Sequence, residues 1–414
     1  MQVSEDDFHP VEDAKSRLGR LLFYDPILSG NRNISCGTCH HHDLFSGDGL
    51  SLGVGEGGNG LGPKRQPGVG DTRIVKRVPR NAPALFNLGA REVRVLFHDG
   101  RLEPSELYPS GFNSPAWRWM PPGLESIVAA QALLPMISAV EMAGNKGEND
   151  VAGAINDRVD HAWKIIAKRV RTNDEYAGMI VDAFADIDRR DQIAITHVAN
   201  ALGAFVMSEW RSFDSPWDRH LAGAPLPPMA ERGKRLFFGK ARCATCHSGK
   251  FFTDQQFYAL ALPHFGPGRT RAYDPIARDL GRMAETDRIE DAYRFRTPDL
   301  RNVALTAPYG HNGAYPTLEG MIRHHLAPSE ALARWKPESA QMPSADWLSI
   351  PDFIAFEDRR ERARLAAKID IQPIDLSDTE VADLVAFLHA LTGGESVKGR
   401  LGRPDRVPSG LPVD

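Results

Sequence analysis

Cys36-Gly37-Thr38-Cys39-His40 and Cys243-Ala244-Thr245-Cys246-His247 are the two stretches that decide the fold, and they use all four cysteines of the chain. Both read Cys-x-x-Cys-His, the motif at which a c-type haem is attached. Two thiols at this spacing add across the two vinyl groups of one porphyrin, and the next histidine is held beneath the iron. The sequence therefore predicts two covalently bound c-type haems, with His40 and His247 as proximal iron ligands.

Two other interpretations of the cysteines explain less. A structural zinc site needs two more ligands at a recognisable spacing, and a thioredoxin-like pair needs a strand-to-helix setting. Neither accounts for a histidine at the same place in both motifs. Because haem is attached outside the bacterial cytoplasm, we expect a periplasmic protein. The N-terminal MQVSEDDFHP lacks the apolar core of a signal peptide, so we expect that an export signal has been removed.

Composition describes a folded protein of 414 residues, long enough for two or three domains. Hydrophobic residues make up 42% and charged residues 25%, close to globular averages. The net charge of −4 gives no reason to bind nucleic acid. The apolar run 127–140 contains Pro135 and is shorter than the roughly 18 residues that a membrane span requires, so we expect no membrane span.

Similar strings recur in the same order in the two halves of the chain. Gly19-Arg20-Leu21-Leu22-Phe23 precedes the first Cys-x-x-Cys-His, and Gly233-Lys234-Arg235-Leu236-Phe237 precedes the second. Phe97-His98-Asp99-Gly100 and Gly310-His311-Asn312-Gly313 follow them at a distance. The order indicates an internal duplication of one cytochrome c-like haem domain.

Helical periodicity closes each half, and strand-like alternation is scarce, so the predicted fold is mainly α. Ile195 begins the first periodic run, and the second follows a predicted capping box from Ser377 to Glu380. We predict an N-terminal haem domain over residues 1–213, a linker over 214–228 and a C-terminal haem domain over 229–414. Glycine-rich residues 53–70 predict an irregular loop beside the first haem.

The chain resembles the bacterial dihaem cytochrome c peroxidases and MauG, including the MbnH-like branch. The likeness runs from Phe23-Tyr24-Asp25-Pro26 to Ala386-Phe387-Leu388. It implies that the N-terminal haem is the peroxide site. It also implies that the C-terminal haem is six-coordinate and transfers electrons.

The resemblance assigns the catalytic acid to Glu141, because Val140-Glu141-Met142 matches the family's distal motif, with Gln131 and Pro135 at matching offsets upstream. Splitting peroxide requires a group that takes a proton from one oxygen and returns it to the other. A carboxylate can do so when a dry pocket raises its pKa. The alternative is a surface glutamate that begins a helical turn.

Fourteen residues after His311, where the peroxidases carry a methionine ligand and MauG a tyrosine, this chain has Arg323-His324-His325. His325 aligns with the ligand position. The resemblance thus implies His247/His325 ligation of the second haem, which lowers its potential relative to His/Met. His324 is the alternative.

No histidine lies between His42 and His98. Typical peroxidases place in this segment a loop histidine that blocks the first iron until the enzyme is reduced. Its absence implies a first haem that is open in the diferric state. His41 and His42 are expected at the haem edge, and a ligand role for them stays open.

The family also binds one calcium ion between its haems, and Asn81 with the backbone carbonyls of Thr306 and Pro308 match those positions. An all-oxygen set suits Ca²⁺.

His98 precedes Asp99-Gly100-Arg101, at the position where many relatives carry a tryptophan that relays electrons between the haems. We place His98 among the candidate catalytic residues, and the resemblance then leaves the usual electron route between the haems in doubt.

Relative to the family's usual spacing, the chain carries an insertion of about 23 residues between His98 and Glu141. This insertion contains Trp117-Arg118-Trp119. Aromatic residues with arginine are typical of interface anchors. These tryptophans could equally cover the haem crevice or replace the missing relay.

Two enzyme functions compete. One is a MauG- or MbnH-type enzyme that uses hydrogen peroxide to oxidise a side chain of a partner protein, for example tryptophan to kynurenine. The other is a peroxidase that reduces hydrogen peroxide to water with electrons from a small cytochrome c or cupredoxin. A third possibility, an electron carrier with two closed haems, conflicts with an acid placed over an open iron.

Overall fold

The fold is built mainly from helices. The computed structural model describes residues 2–70, 73–270 and 278–414. The helices are α1 (Asp13–Tyr24), α2 (Cys36–Cys39), α3 (Ile127–Ala132), α4 (Asp150–Ile155), α5 (Val159–Arg171), α6 (Asp174–Ala183), α7 (Ile195–Glu209), α8 (Pro216–Leu221), α9 (Pro228–Phe238), α10 (Met283–Thr286), α11 (Leu318–Leu326), α12 (Pro328–Arg334), α13 (Ser349–Glu357), α14 (Arg359–Ala366), α15 (Asp378–His389) and α16 (Gly394–Lys398). The prediction of a mainly α fold is confirmed.

The predicted helix boundaries in both halves agree with the structure. Ile195 begins α7. Ser377 caps α15, where its side chain accepts a hydrogen bond from the N–H of Glu380. The strands are β1 (Glu103–Pro104), β2 (Phe112–Asn113), β3 (Phe257–Tyr258) and β4 (Phe295–Arg296), and they form two short antiparallel pairs, β1 with β2 and β3 with β4.

The same kind of helix pair occurs in each half: α1 packs against α7, and α9 packs against α15. A Cβ added to Gly19 would collide with the carbonyl oxygen of Ala201, and one added to Gly233 would collide with that of Asp383. Glycine therefore sets the close approach of both helix pairs. The matching geometry agrees with two similar units, and their origin by duplication stays a prediction.

Residues 214–228 are more than a connection. They contain α8, and Trp217 in this helix packs its ring edge-on against Phe387 of α15, with ring centroids 5.6 Å apart. Asp218 pairs with the buried Arg301 at 2.9 Å. The segment therefore packs against the second half and forms an ion pair with it. The domain limits at residues 213 and 229 stay a prediction.

Buried ion pairs join the two halves. Arg80 binds Asp279 through two nitrogens, each at 2.7 Å, and also binds Asp99 at 2.6 Å. Arg77 binds Asp352 at 2.8 Å. The pairs that Arg80 forms with Asp279 and Arg77 forms with Asp352 stabilise the contact between the two halves. Within the described residues, no helix is both long and apolar enough to cross a membrane.

Candidate active site

A cavity of about 670 Å³, called the second cavity because the second Cys-x-x-Cys-His motif lines it, is formed mostly by the second half of the chain, with a smaller part from residues 81–98. Cys243, Cys246 and His247 form part of its wall, and His325 on α11 forms another part. Cavities of this volume hold cofactors in many proteins. The second Cys-x-x-Cys-His motif therefore faces a space suited to a prosthetic group.

His247 and His325 face each other in this cavity, with ring centroids 6.5 Å apart. His247 Nδ1 donates to the carbonyl oxygen of Phe252 at 3.1 Å, and His325 Nδ1 donates to that of Met321 at 2.9 Å. A carbonyl only accepts, so each Nδ1 carries the proton and each Nε2 is left as a lone-pair donor. Metal–imidazole distances of about 2 Å fit one ion between the rings.

Burial lowers the pKa of His247 to about 4 and also lowers that of His325. Both imidazoles are therefore neutral near pH 7, as metal ligation requires. The neighbouring His324 differs, because its Nε2 donates to the carbonyl of Leu260 at 2.7 Å and its Nδ1 meets the hydroxyl of Tyr315 at 2.8 Å. With both nitrogens engaged, His324 is unsuited to the ligand role, and the geometry favours His325.

The first motif has the same local design. α2 carries Cys36 and Cys39, and the next residue, His40, donates from Nδ1 to the carbonyl of Ser46 at 2.9 Å. Burial raises the pKa of both thiols to about 12. All four cysteines are free of disulfides. The residues at both motifs thus fit a c-haem, each with one imidazole Nε2 left for iron.

Glu141 lies in a π-helical turn, Ala139–Ala143. Such turns occur frequently at functional sites. The side chain is half-buried, and desolvation raises the pKa of its carboxyl, opposed by Arg101 and by the hydroxyl of Ser138. Its charge also raises the pKa of the Cys39 thiol, which places Glu141 near the first motif. This environment suits a proton-transfer group better than a surface glutamate.

The predicted neighbours of Glu141 lie on adjoining elements. Gln131 is half-buried on α3, and Pro135 begins a 3₁₀ turn that packs against Ala139–Ala143. The glycine-rich loop also reaches this turn, since the N–H of Glu56 donates to the carbonyl of Val140 at 3.2 Å. Catalytic roles for Gln131 and Pro135 stay predictions.

His98 lies in the wall of the second cavity. Its Nε2 donates to the carbonyl of Asn81 at 3.2 Å. Burial, together with the positive charge of Arg80, lowers the pKa of His98 to about 4. His98 is thus a neutral group between the cavity and the ion pairs that join the halves, and its catalytic role stays a prediction.

The three residues predicted for calcium, Asn81, Thr306 and Pro308, line the same cavity. The amide nitrogen of Asn81 donates to the carbonyl of Leu50 at 2.8 Å, which turns that end of the side chain away from a cation. The described residues contain no metal-binding group of three or more His, Cys, Asp or Glu side chains. A calcium ion here would depend on amide and backbone oxygens, and it stays a prediction.

The Trp117-Arg118-Trp119 segment forms a 3₁₀ turn at the surface. Trp117 is 65% exposed. The ring of Trp119 has the guanidinium of Arg158 at 4.1 Å and that of Arg118 at 4.9 Å from its centroid. Neither tryptophan lines the second cavity.

Sequence reasoning missed two side chains in the wall of the second cavity, Arg296 and Tyr258. Burial lowers the pKa of Arg296 to about 10, and its nitrogens donate to the carbonyls of Phe97 and Thr297, each at 3.2 Å. A buried cation beside a cavity suits an anionic group on a bound cofactor. The only sequence signal was that Arg296-Thr297-Pro298 in the second half resembles Arg80-Asn81-Ala82-Pro83 in the first.

A sequence profile described as di-haem cytochrome c peroxidase matches residues 13–225, just over half of the chain. The chain belongs to this family. Its two Cys-x-x-Cys-His sites correspond in number to the two haems of a dihaem peroxidase, and the protein is a haem-dependent oxidoreductase.

Several proteins are similar to this dihaem peroxidase. Methylamine utilization protein MauG of Methylorubrum extorquens is 27% identical over 385 residues, which are 92% of this chain and 79% of MauG. Cytochrome c peroxidase Ccp of Escherichia coli is 30% identical over 319 residues, 76% of this chain and 53% of that protein. The crystal structure of a MauG-like protein associated with microbial copper homeostasis aligns with a TM-score of 0.60 and 26% identity, covering 96% of this chain and 93% of that one.

Proposed function

We propose that this dihaem peroxidase is of the MauG and MbnH type. It uses hydrogen peroxide to gain two oxidising equivalents, and it withdraws electrons from a side chain of a partner protein, such as a tryptophan that becomes kynurenine. The observation that carries the proposal is the pairing of His325 with His247 across the cavity. Two imidazoles lower a haem's potential relative to His/Met, so the oxidised second haem is retained more readily.

Cys36 and Cys39 would attach the first haem covalently, and His40 would ligate its iron. Cys243 and Cys246 would attach the second haem, and His247 and His325 would ligate its iron. When bound, the haems supply the redox chemistry. Covalent attachment implies a periplasmic location, and we include one calcium ion at Asn81, Thr306 and Pro308 in the proposal.

Glu141 is the proton-transfer group of the peroxide reaction. Its ionised carboxylate takes a proton from one oxygen of hydrogen peroxide and delivers it to the oxygen that leaves as water. The desolvation that raises its pKa strengthens it as a base while leaving it able to give the proton back.

Contacts of His41 and His42 support a first site that is open to peroxide without prior reduction. His42 Nε2 donates to the carbonyl of Lys398 at 2.8 Å. His41 Nδ1 accepts the N–H of Asp43 at 3.1 Å, and its Nε2 meets the carbonyl of Asp414 at 3.3 Å. Both rings are held in place by these partners, and the chain has no further histidine before His98.

The second candidate is a cytochrome c peroxidase that takes electrons from a small cytochrome c or cupredoxin. The similarity to Escherichia coli Ccp favours it. One experiment separates the two candidates: titration of the diferric holoprotein with hydrogen peroxide in the absence of reductant, followed by optical and EPR spectroscopy.

The proposed function predicts one high-spin and one low-spin haem before peroxide, and a long-lived state two equivalents above diferric after it. A protein that reacts only after one haem has been reduced would instead be a conventional cytochrome c peroxidase. The Glu141→Gln variant is the matched sample, since it should bind both haems and form the oxidised state much more slowly.

A further inference from the structure

Tyr258 on β3 lines the second cavity together with Cys246. Cys246 attaches the haem in the proposed holoprotein, and Asp254 links it to Tyr258 because Asp254 hydrogen-bonds to both residues. The side chain of Tyr258 is half-buried, and Gln256, two residues earlier in the chain, is exposed. Tyr258 therefore lies in the wall of the second cavity, near residues at the protein surface.

A carboxylate accepts the proton of this phenol. The Tyr258 hydroxyl donates to Asp254 Oδ2 at 2.8 Å. Asp254 is itself held in place, because its Oδ1 accepts the N–H of Gln256 at 2.9 Å and its own N–H donates to the carbonyl of Cys246 at 3.0 Å. A preset proton acceptor matters because a phenol that loses an electron becomes a strong acid.

Burial and the neighbouring Asp254 raise the pKa of Tyr258. The phenol is thus protonated at neutral pH, and losing an electron requires losing the proton as well. Asp254 can take that proton over a single hydrogen bond, with no rearrangement of either side chain.

Two other tyrosines in the cavity wall lack this combination. The Tyr309 hydroxyl donates to the backbone carbonyl of Val303 at 3.0 Å, and a carbonyl is too weak a base to take the proton. Tyr293 has the carboxylate of Glu361 as a partner but is only 5% exposed. Of these three, Tyr258 alone both has a carboxylate partner and is only half-buried.

We infer that Tyr258 is a redox-active side chain through which an oxidising equivalent leaves the second haem site for a partner protein, with Asp254 as its proton acceptor. In this step the O–H bond of Tyr258 breaks. One electron passes to the haem site oxidised by peroxide, and the proton passes to the Asp254 carboxylate, leaving a neutral phenoxyl radical. An electron from the partner's side chain and the proton held by Asp254 then restore the phenol. The inference rests on the proposed function.

The test is rapid-freeze EPR of the diferric holoprotein mixed with hydrogen peroxide, prepared with ordinary and with ring-deuterated tyrosine. We expect a radical signal that narrows on deuteration and that is lost in Tyr258→Phe. Asp254→Asn keeps a side chain of the same shape without the basic carboxylate, and it should diminish the signal. Tyr309→Phe, which removes a hydroxyl from the same wall, should retain it. Haem absorption spectra check that each variant is loaded.

The outcomes are distinct. An unchanged signal in Tyr258→Phe, or a signal lost in Tyr293→Phe instead, would overturn the inference while the proposed function stands, provided that the oxidised dihaem state still forms. A wild-type protein that forms no oxidised state with peroxide alone would overturn the proposed function, and the role of Tyr258 with it.

Discussion

His325 faces His247 across the second cavity at 6.5 Å between ring centroids, and each imidazole donates its Nδ1 proton to a backbone carbonyl. The two donations fix the ring orientations and leave both Nε2 atoms directed by the fold rather than by a bound metal. The ligand pair of the second site is thus set in advance by local backbone contacts.

Replacing His325 with methionine should raise the midpoint potential of the second haem, because a thioether stabilises ferrous iron more than an imidazole does. Spectroelectrochemical titration of the holoprotein measures this change. His324→Gln is the matched control on the same helix, since His324 has both nitrogens engaged and should leave the potential near that of the wild type. A potential that moves with His324 rather than His325 would reverse the ligand assignment.

Glu141→Gln should slow the reaction with hydrogen peroxide by about 10²–10⁴-fold, the usual contribution of a positioned acid–base group. Stopped-flow spectroscopy of the diferric protein gives the rate. Glu148→Gln is the control, because Glu148 is an exposed carboxylate that binds Asn145, and its removal should not change the rate. Equal rates in wild type and Glu141→Gln would remove Glu141 from the mechanism.

The rate of the peroxide reaction should depend on pH through the same carboxyl. Since desolvation raises the pKa of Glu141, the rate should fall with decreasing pH, with a midpoint above the roughly 4.3 of an ordinary glutamate. The base form is needed first, so the fast limb lies on the alkaline side of that midpoint. A pH series by stopped flow tests this, and the limb should be missing in Glu141→Gln.

Arg80→Met should cost about 3–5 kcal/mol in the free energy of unfolding, because it leaves the buried carboxylate of Asp279 without its arginine and removes one of the three arginines that pair with Asp99. Denaturant unfolding of the holoprotein measures the loss. Arg334→Met is the control, since its exposed pair with Glu330 should contribute at most about 1 kcal/mol. A loss as small as that of the control would show that Arg80 does not stabilise the junction.

Arginines around Asp99 and Asp279, Arg80 foremost, hold the pKa of both carboxyls well below their usual range in spite of burial. A folded-state pKa below the unfolded value stabilises the protein above the unfolded pKa of about 3.9. The wild-type stability from these pairs should therefore be complete near neutral pH and decline as pH falls below about 4. The same unfolding measurement as a function of pH checks this, and Arg80→Met should show a weaker acid dependence.

Gly19→Ala and Gly233→Ala should each destabilise one helix pair, because the added methyl collides with a backbone carbonyl that cannot move independently. Gly178→Ala on α6 is the control: nothing lies within 4 Å of the added carbon, and the change should stabilise the helix by about 0.5–1 kcal/mol. Thermal unfolding monitored by circular dichroism compares the three. Unchanged unfolding temperatures in both Gly19→Ala and Gly233→Ala would show that the helices can move slightly apart without loss of stability.

The sequence by itself determined the features that depend on a few adjacent residues. Cys-x-x-Cys-His places two thiols and an imidazole around one turn of backbone, and Ser377 with Glu380 begins a helix through contacts within one turn. These signals survive without knowledge of the rest of the chain, so the haem motifs, the mainly α class and the start of α15 could be predicted from sequence.

Only the tertiary structure decided which of two adjacent histidines faces His247, since Tyr315 and Leu260 engage His324 from distant parts of the chain. It also decided that Trp117 lies at the surface and that Tyr258 binds Asp254 in the cavity wall that also contains Cys246. Such relationships depend on where helices and loops cross. Crossings are set by the packing of buried side chains over the whole fold, which no short stretch of sequence records.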